Sequence, residues 1–216
     1  QVSGFGARAV HDRGPKYVNS PDSPLFHKGH LLYGLAQARA ALHTRGEALV
    51  VEGYLDVLAL HQAGLTATVS PLSTTLSPTQ LTRLRPLVQR VVLLFDGDAA
   101  GQTAITRVFL PAEECGVPVA VVKLPPEYDP DSYVRAHGCV ALEALVGQAS
   151  SLSEYVLHQL ATQYPQEQAG RAVLALAERI SHPVRQLTFL QQAETCLQFP
   201  SGSLSEVLGL GHAARY

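Results

Sequence analysis

The chain has 216 residues, is 46% hydrophobic and carries a formal net charge of −2. This length and composition suffice for one large core or two small ones, and the charge excludes a uniformly basic nucleic-acid-binding protein. Residues 1–47 hold six Lys/Arg against three Asp/Glu, whereas residues 48–216 hold ten against fifteen. A basic front and an acidic remainder suit a polyanion held beside a metal site, although ordinary fluctuation is the alternative.

Cysteine usage and hydropathy narrow the class of protein. Cys115, Cys139 and Cys196 are far apart and show no CxxC or Cys/His metal spacing, so we expect no structural zinc site and a reduced, cytoplasmic compartment. No apolar run is long enough to cross a bilayer, so no membrane partner is expected. The chain contains no methionine, and we expect it to be a piece of a longer protein.

In chain order, the first half predicts an alternation of strands and helices. Residues 1–30 are rich in Gly, Pro, Ser and Asn, which indicates loops and short strands, and a helix is predicted from about Gly29 to Thr44. Strands are then predicted at 48–51, 66–70, 91–95 and 118–123. Helices are predicted between them at 54–63, with Gly64 as its stop, from Ser77-Pro78 to about Leu87, and from Asp98 to about Gly116. Such alternation indicates parallel βαβ units.

The pattern changes near Val140. Helices are predicted at 139–147, 151–163, 166–181 and 183–198, and no further strand is expected. The predicted class is therefore α/β, a mostly parallel sheet flanked by helices with a short basic N-terminal segment and a C-terminal helical subdomain. We divide the chain into residues 1–46, 47–138 and 139–216.

Acidic residues follow three of the predicted strands. They are Glu52 and Asp56 after the first strand, Asp96 and Asp98 after the third, and Asp129 and Asp131 after the fourth. Ligands of parallel α/β sheets bind beyond the carboxyl ends of the strands, so we expect six carboxylates at one edge. Such carboxylates raise one another's pKa, and oxygen ligands without His or Cys suit Mg²⁺ or Mn²⁺. A carboxylate-bound metal pair is typical of phosphoryl and nucleotidyl transfer.

Each acidic residue also has a structural interpretation. Asp96 and Asp98 are either ligands or a polar turn that caps the next helix. Glu52 is a metal ligand, a general base for a hydroxyl, or an acid that complements a helix dipole. Asp56, four residues later, either binds metal or orients a group that does, and Asp129 and Asp131 are ligands or parts of a surface loop.

The sequence segments around these acidic residues resemble the motifs of the TOPRIM fold in bacterial DnaG-type DNA primases. The similar segments are Val51–Val57, Asp96–Ala104 and Leu124–Asp131, together with Phe5–Ala9 and Pro15–Gly29 in the basic front. The resemblance is strong over residues 4–138 and weak but compatible over the helical remainder. This chain departs from the family pattern at Ser73, where primases usually have Gly. A glycine would be required there if the backbone had a positive φ or approached another segment closely.

The resemblance implies a catalytic fragment of a primase, which synthesises short RNA primers on single-stranded DNA for replication. It implies Glu52, Asp96 and Asp98 as catalytic residues, and these with Asp56, Asp129 and Asp131 as ligands of two or more Mg²⁺ or Mn²⁺ ions. Nucleic-acid or nucleotide phosphates would contact the basic segment through Arg8, Lys16, Asn19 and Lys28, for which solvated surface charge is the alternative. Expected partners are single-stranded DNA, NTPs and the RNA primer, and the replicative helicase through regions absent from this chain.

Two other functions stay open at this stage. A TOPRIM topoisomerase or nuclease would use the same metal site, although the Pro15–Pro21 segment argues against it. A non-catalytic module that binds nucleic acid or nucleotides is the third interpretation.

Overall fold

The protein was analysed as a computed structural model that describes residues 2–8, 17–73 and 75–210, with the side chain of Tyr17 excepted. Strands in this part of the chain are β1 (Gly6–Arg8), β2 (Tyr17–Asn19), β3 (Leu32–Tyr33), β4 (Glu47–Val50), β5 (Thr68–Pro71), β6 (Arg90–Leu93), β7 (Val119–Val121) and β8 (Ser150–Ser151). Helices there are α1 (Leu35–Arg45), α2 (Tyr54–Gln62), α3 (Pro78–Leu84), α4 (Ala99–Cys115), α5 (Pro130–Gly147), α6 (Leu152–Gln163), α7 (Gln166–Ala177), α8 (Pro183–Cys196) and α9 (Ser203–Val207).

The central sheet has the strand order β3-β5-β4-β6-β7-β8. Its four inner strands are parallel, and the two outer strands pair antiparallel with their neighbours. The predicted α/β class with a mostly parallel sheet is therefore confirmed. β1 and β2 form a separate antiparallel pair.

Both faces of the sheet are covered, which explains why the inner strands are continuous apolar runs. Side chains alternate along β4 and the residue that follows it. Ala48 and Val50 join a core with α1, α3, α4 and the C-terminal helices, whereas Leu49 and Val51 join a core with α2 and α5. The C-terminal helices share the first core directly, because the rings of Phe109 in α4 and Phe189 in α8 lie 4.8 Å apart.

Several helix boundaries follow the sequence signals. Ser77 caps α3 by accepting from the Gln80 amide at 3.1 Å, with Pro78 as the first helical residue. Gly64 follows α2 with a φ of +94°, a left-handed conformation that ends helices at little cost with glycine. Both predicted signals are confirmed.

Two predictions about elements were wrong. The helix expected from Gly29 begins at Leu35, because Leu32 and Tyr33 pair with β5 and Gly34, with a φ of +80°, sets the start of the helix. The absence of strands after Val140 was also wrong, since Ser150 and Ser151 pair with β7 as β8. The division at 46/47 and 138/139 stays a prediction; near its second bound, Gly138 interrupts α5 with a φ of +81°.

In the described ranges, no helix combines the length and the apolar character that a bilayer crossing requires.

Candidate active site

Two neighbouring inner strands bring the first two acidic segments together. Val50 of β4 is the register partner of Leu93 in β6, and the chain continues from these strands to Glu52 and Asp96. The backbone amide of Asp96 donates a hydrogen bond to Oε1 of Glu52 at 3.2 Å. The contact between the first and second acidic segments therefore lies at the carboxyl edge of the sheet, where the sequence predicts it.

Glu52 lies in an environment that disfavours its charged form. Burial, followed by the charges of Asp96, Asp98 and Asp56, raises its pKa from 4.5 to about 7, and the hydrogen bond from the Asp96 amide opposes this rise. Without a cation, this carboxyl therefore binds a proton at pH values where an exposed glutamate is ionised.

Asp56 connects the first acidic segment with the third. It is buried in the first turn of α2 and accepts from the Gly53 amide at 3.0 Å. Burial, together with the charges of Asp96, Asp129 and Asp131, raises its pKa to about 6, and the hydrogen bond from the Gly53 amide opposes this rise. The charge effects on the pKa values of Glu52 and Asp56 together involve all six predicted carboxylates. The six groups are therefore close enough to interact electrostatically.

Asp98 and Asp129 are helix caps in this structure. Oδ1 of Asp98 accepts from the Gly101 amide at 2.8 Å, and Oδ1 of Asp129 accepts from the Ser132 amide at 2.7 Å. The capping interpretation is thus realised for Asp98, whereas for Asp129 the sequence indicated only a surface loop, and each cap uses one oxygen of the carboxylate. Capping and metal binding are compatible because a carboxylate has two oxygens.

Asp131 forms an ion pair with Arg135, one turn later in α5, at 2.5 Å. The Arg135 side chain is 74% exposed, and exposed pairs of this kind contribute little to stability. Exchange of Arg135 for a cation at Asp131 would therefore cost little free energy.

Two glycines allow the acidic segments to approach each other, and the sequence analysis did not assign them this role. A Cβ at Gly97 would lie 2.3 Å from the carbonyl oxygen of Pro125, and a Cβ at Gly101 would lie 2.2 Å from that of Asp96 and 3.0 Å from Oε1 of Glu52. The Gly97 amide also donates to the Tyr128 carbonyl at 3.2 Å. The signal in the sequence was the placement of glycine inside and just after the Asp-Gly-Asp segment.

The basic hairpin, β1 with β2, packs beside the first turn of α2. The Tyr54 hydroxyl donates to the Ala7 carbonyl at 3.0 Å, and Nδ2 of Asn19 donates to the Leu72 carbonyl at 3.4 Å. Arg8 is exposed on this hairpin, which borders a groove of about 1090 Å³ against α1 and α2. The hairpin therefore holds Arg8 next to the helix that carries Asp56.

The other predicted nucleic-acid contacts are placed less uniformly. The Lys28 side chain is exposed, and its backbone carbonyl accepts a hydrogen bond from Nε2 of buried Gln80 at 3.1 Å. Lys16 lies outside the described residues. The amide of Asn19 holds the hairpin to the loop after β5 through Nδ2, while its buried Oδ1 has no hydrogen-bond partner among the described atoms.

The Ser73 departure has a simple structural outcome. Among the described residues other than glycine, Gln198 alone has a positive φ, so Ser73 does not require a glycine-like backbone. Its hydroxyl donates to the Thr75 carbonyl at 2.8 Å, which stabilises the loop after β5.

The carboxylates form an open arrangement. Within the described ranges, no three His, Cys, Asp or Glu side chains are close enough to hold one ion. The donor chemistry nevertheless fits a hard divalent cation, because Glu52 and Asp56 are buried acids whose raised pKa values a bound cation would lower. Mg²⁺ is commonly held by one or two carboxylates plus water and substrate phosphates, which suits an edge lined by acids on several loops.

Comparisons with known proteins agree with this architecture. Residues 49–134 match a family model described as Toprim-like, and residues 1–39 match the N-terminal domain of the DNA primase catalytic core. A DNA primase from Neisseria meningitidis is 38% identical over 219 residues, covering 97% of this chain and 37% of the relative. The chain thus spans little more than a third of the length of this curated relative.

Solved structures give the same result. A DNA primase domain from Pseudomonas aeruginosa superposes with a TM-score of 0.83 at 35% identity, covering 97% of this chain and 67% of that one. A DnaG primase catalytic domain bound to single-stranded DNA superposes with a TM-score of 0.78 at 32% identity, covering 90% of this chain and 64% of that one. The sequence matches, the sheet and the placement of the acidic loops together show that the chain belongs to the bacterial DnaG-type DNA primases and corresponds to a Toprim-containing part of their catalytic core.

Proposed function

We propose that this chain carries the nucleotidyl-transfer centre with which a primase synthesises short RNA primers on single-stranded DNA. The observation that carries the proposal is the convergence of six carboxylates at one sheet edge, where burial and mutual repulsion raise the pKa of Glu52 to about 7 and of Asp56 to about 6. Such a site is unfavourable without bound cations, and it suits a substrate that brings phosphates to complete their coordination.

The acidic residues would have different roles that depend on their positions. The pKa of Glu52 responds to the charges of Asp56, Asp96 and Asp98. The pKa of Asp56 responds to those of Asp129, the N-cap of α5, and Asp131 in its first turn. We propose that these residues hold two or more Mg²⁺ or Mn²⁺ ions, which when bound activate a 3′-hydroxyl and neutralise charge on the triphosphate. Glu52 acts either as a ligand or as the general base that accepts the hydroxyl proton.

The basic segment would position the polyanions. Arg8, Lys16, Asn19 and Lys28 are proposed to contact phosphates of the template or of the incoming NTP, with little base readout. A DnaG primase catalytic domain that superposes on this chain binds single-stranded DNA, which supports a nucleic-acid partner. Contact with the replicative helicase through other parts of the protein, and action at the bacterial replication fork in the cytoplasm, belong to the same proposal.

The test combines metal binding with RNA synthesis. Mn²⁺ binding is measured by calorimetry, and extension of an RNA primer on a DNA template is measured with labelled NTPs, because a primed template bypasses initiation. Asp96→Asn should weaken Mn²⁺ binding at least tenfold and abolish extension, whereas Glu167→Gln, whose side chain is 80% exposed on α7, should change neither.

Extension that survives Asp96→Asn would overturn the assignment of the centre. DNA and Mn²⁺ binding by the wild type without any extension would favour the non-catalytic module.

A further inference from the structure

Three aromatic rings form a cluster beside the third acidic segment. The ring centroids of Tyr128 and Tyr133 lie 5.4 Å apart, those of Tyr128 and His137 lie 5.2 Å apart, and those of Tyr133 and His137 lie 4.6 Å apart. Each ring therefore contacts both others, and we call Tyr128, Tyr133 and His137 the aromatic cluster. Tyr133 and His137 are four residues apart on α5, which places them on one helix face.

The cluster adjoins the acidic edge through fixed backbone contacts. Tyr128 precedes Asp129, and its carbonyl accepts from the Gly97 amide at 3.2 Å while its own amide donates to the Pro125 carbonyl at 3.0 Å. The Tyr133 amide donates to the Asp129 carbonyl at 2.9 Å. The rings are thus positioned by the same loop and helix start that position Asp129 and Asp131.

Core packing accounts for only part of the cluster. Tyr133 packs in part against the core of the α2 and α5 face, but Tyr128 is half-buried and His137 is exposed. α5 is interrupted at Gly138, directly after His137, so the imidazole lies at the end of the first helical segment. Aromatic surface is left accessible to solvent within a region otherwise rich in carboxylates.

We infer that the aromatic cluster stacks against a nucleobase whose phosphates approach the acidic edge. Aromatic side chains bind the faces of all four bases with little sequence preference, and these rings carry no negative charge that would repel the phosphate. This inference rests on the proposed function, because it is the metal-bound phosphate that brings a base near the cluster. The base belongs either to a single-stranded nucleic acid or to a free nucleotide.

The sequence offers a direct reporter, since the chain contains no tryptophan. His137→Trp keeps an aromatic ring at the exposed position and makes it the sole indole of the protein. Its fluorescence is titrated in Mg²⁺ with oligo-dT, with an abasic oligonucleotide of the same length, and with ATP. The matched control is Tyr164→Trp, because Tyr164 is 44% exposed at the end of α6.

Oligo-dT or ATP should quench the indole of His137→Trp, the abasic oligonucleotide should not, and Tyr164→Trp should respond to none of them. Quenching by oligo-dT alone identifies a strand base, and quenching by ATP alone identifies a nucleotide base. In anisotropy measurements with the same probe, His137→Ala should weaken binding about fivefold, near the lower end of one base–aromatic stack. Equal quenching by abasic and base-containing oligonucleotides, or no quenching by any probe, overturns the inference.

The two proposals fail separately. Quenching that depends on the base, in a protein that makes no RNA, would leave the aromatic cluster as a base-binding site and remove the catalytic proposal. RNA synthesis without quenching would leave the catalytic proposal and remove the cluster from nucleic-acid recognition.

Discussion

Replacement of Glu52 by glutamine should stabilise the metal-free protein at alkaline pH. Burial, followed by the charge of Asp96, raises the pKa of this carboxyl from 4.5 to about 7. Glutamine has nearly the same size, and its amide oxygen can still accept from the Asp96 amide that donates at 3.2 Å in the wild type. The substitution therefore removes the charge and leaves the packing nearly unchanged.

The direction of the pH dependence follows from proton binding. In the unfolded chain Glu52 loses its proton near pH 4.5, whereas in the folded chain it keeps the proton until about pH 7. Between these values the folded state binds more protons, so the free energy of unfolding falls as pH rises. The destabilisation is absent below pH 4.5 and complete above pH 7, and Glu52→Gln should remove it.

The size of the effect can be bounded from the shift. A rise from 4.5 to about 7 at 1.36 kcal/mol per unit corresponds to about 3 kcal/mol for a site shielded from water. Glu52 is only partly buried, and solvent screening reduces the expected gain to about 1–2 kcal/mol at pH 8.5.

Urea unfolding followed by circular dichroism, in EDTA at pH 4.5 and pH 8.5, measures the gain. Glu167→Gln is the matched control, because its side chain is 80% exposed and far from the acidic edge in sequence. A gain from Glu52→Gln of the same size at both pH values, or a loss at pH 8.5, would refute this electrostatic account.

Three further predictions concern packing, charge and ion pairing. Gly97→Ala should destabilise the protein by about 1–3 kcal/mol in urea unfolding, because the added Cβ would lie 2.3 Å from the Pro125 carbonyl oxygen. The control Gly29→Ala should have little effect, because no atom lies within 4 Å of its added Cβ. Arg8→Ala should weaken binding of single-stranded DNA and, in a salt titration, lower the slope of log K against log salt by about 1; an unchanged slope would exclude a phosphate contact. Glu47→Gln should lower the free energy of unfolding by about 1–2 kcal/mol, because the buried carboxylate pairs with two arginines. It should leave Mn²⁺ binding unchanged, because Glu47 is the first residue of β4 and the acidic segment follows the other end of that strand.

The elements that could be predicted are those whose own residues show a hydrophobic pattern or a capping motif. The inner strands are apolar runs because both faces are buried, and Ser77-Pro78 marks a helix start by local hydrogen bonding. β3 and β8 have two residues each, and Ser150 and Ser151 are polar. Such strands are stabilised by the neighbour with which they pair, so their own composition contains no periodic signal.

The candidate site divides in the same way. Convergence of the acids could be predicted because the carboxyl ends of parallel strands share one edge. The burial of Asp56, the close contacts of Gly97 and Gly101, and the aromatic cluster depend on how separate loops pack, which a single sequence does not specify. Resemblance to primases led to the role proposed for the basic segment, because charge alone favours solvated surface there.

β8 also limits how the molecule can be subdivided. The polypeptide leaves the sheet after β7, crosses one face as α5 and returns to pair with the outer side of β7. A fragment ending at residue 138 would lose this strand and leave the hydrogen-bonding groups of β7 open along one side. Open strand edges pair readily with other chains, so a truncated Toprim unit should aggregate through β7, and the smallest well-behaved fragment should extend through α6.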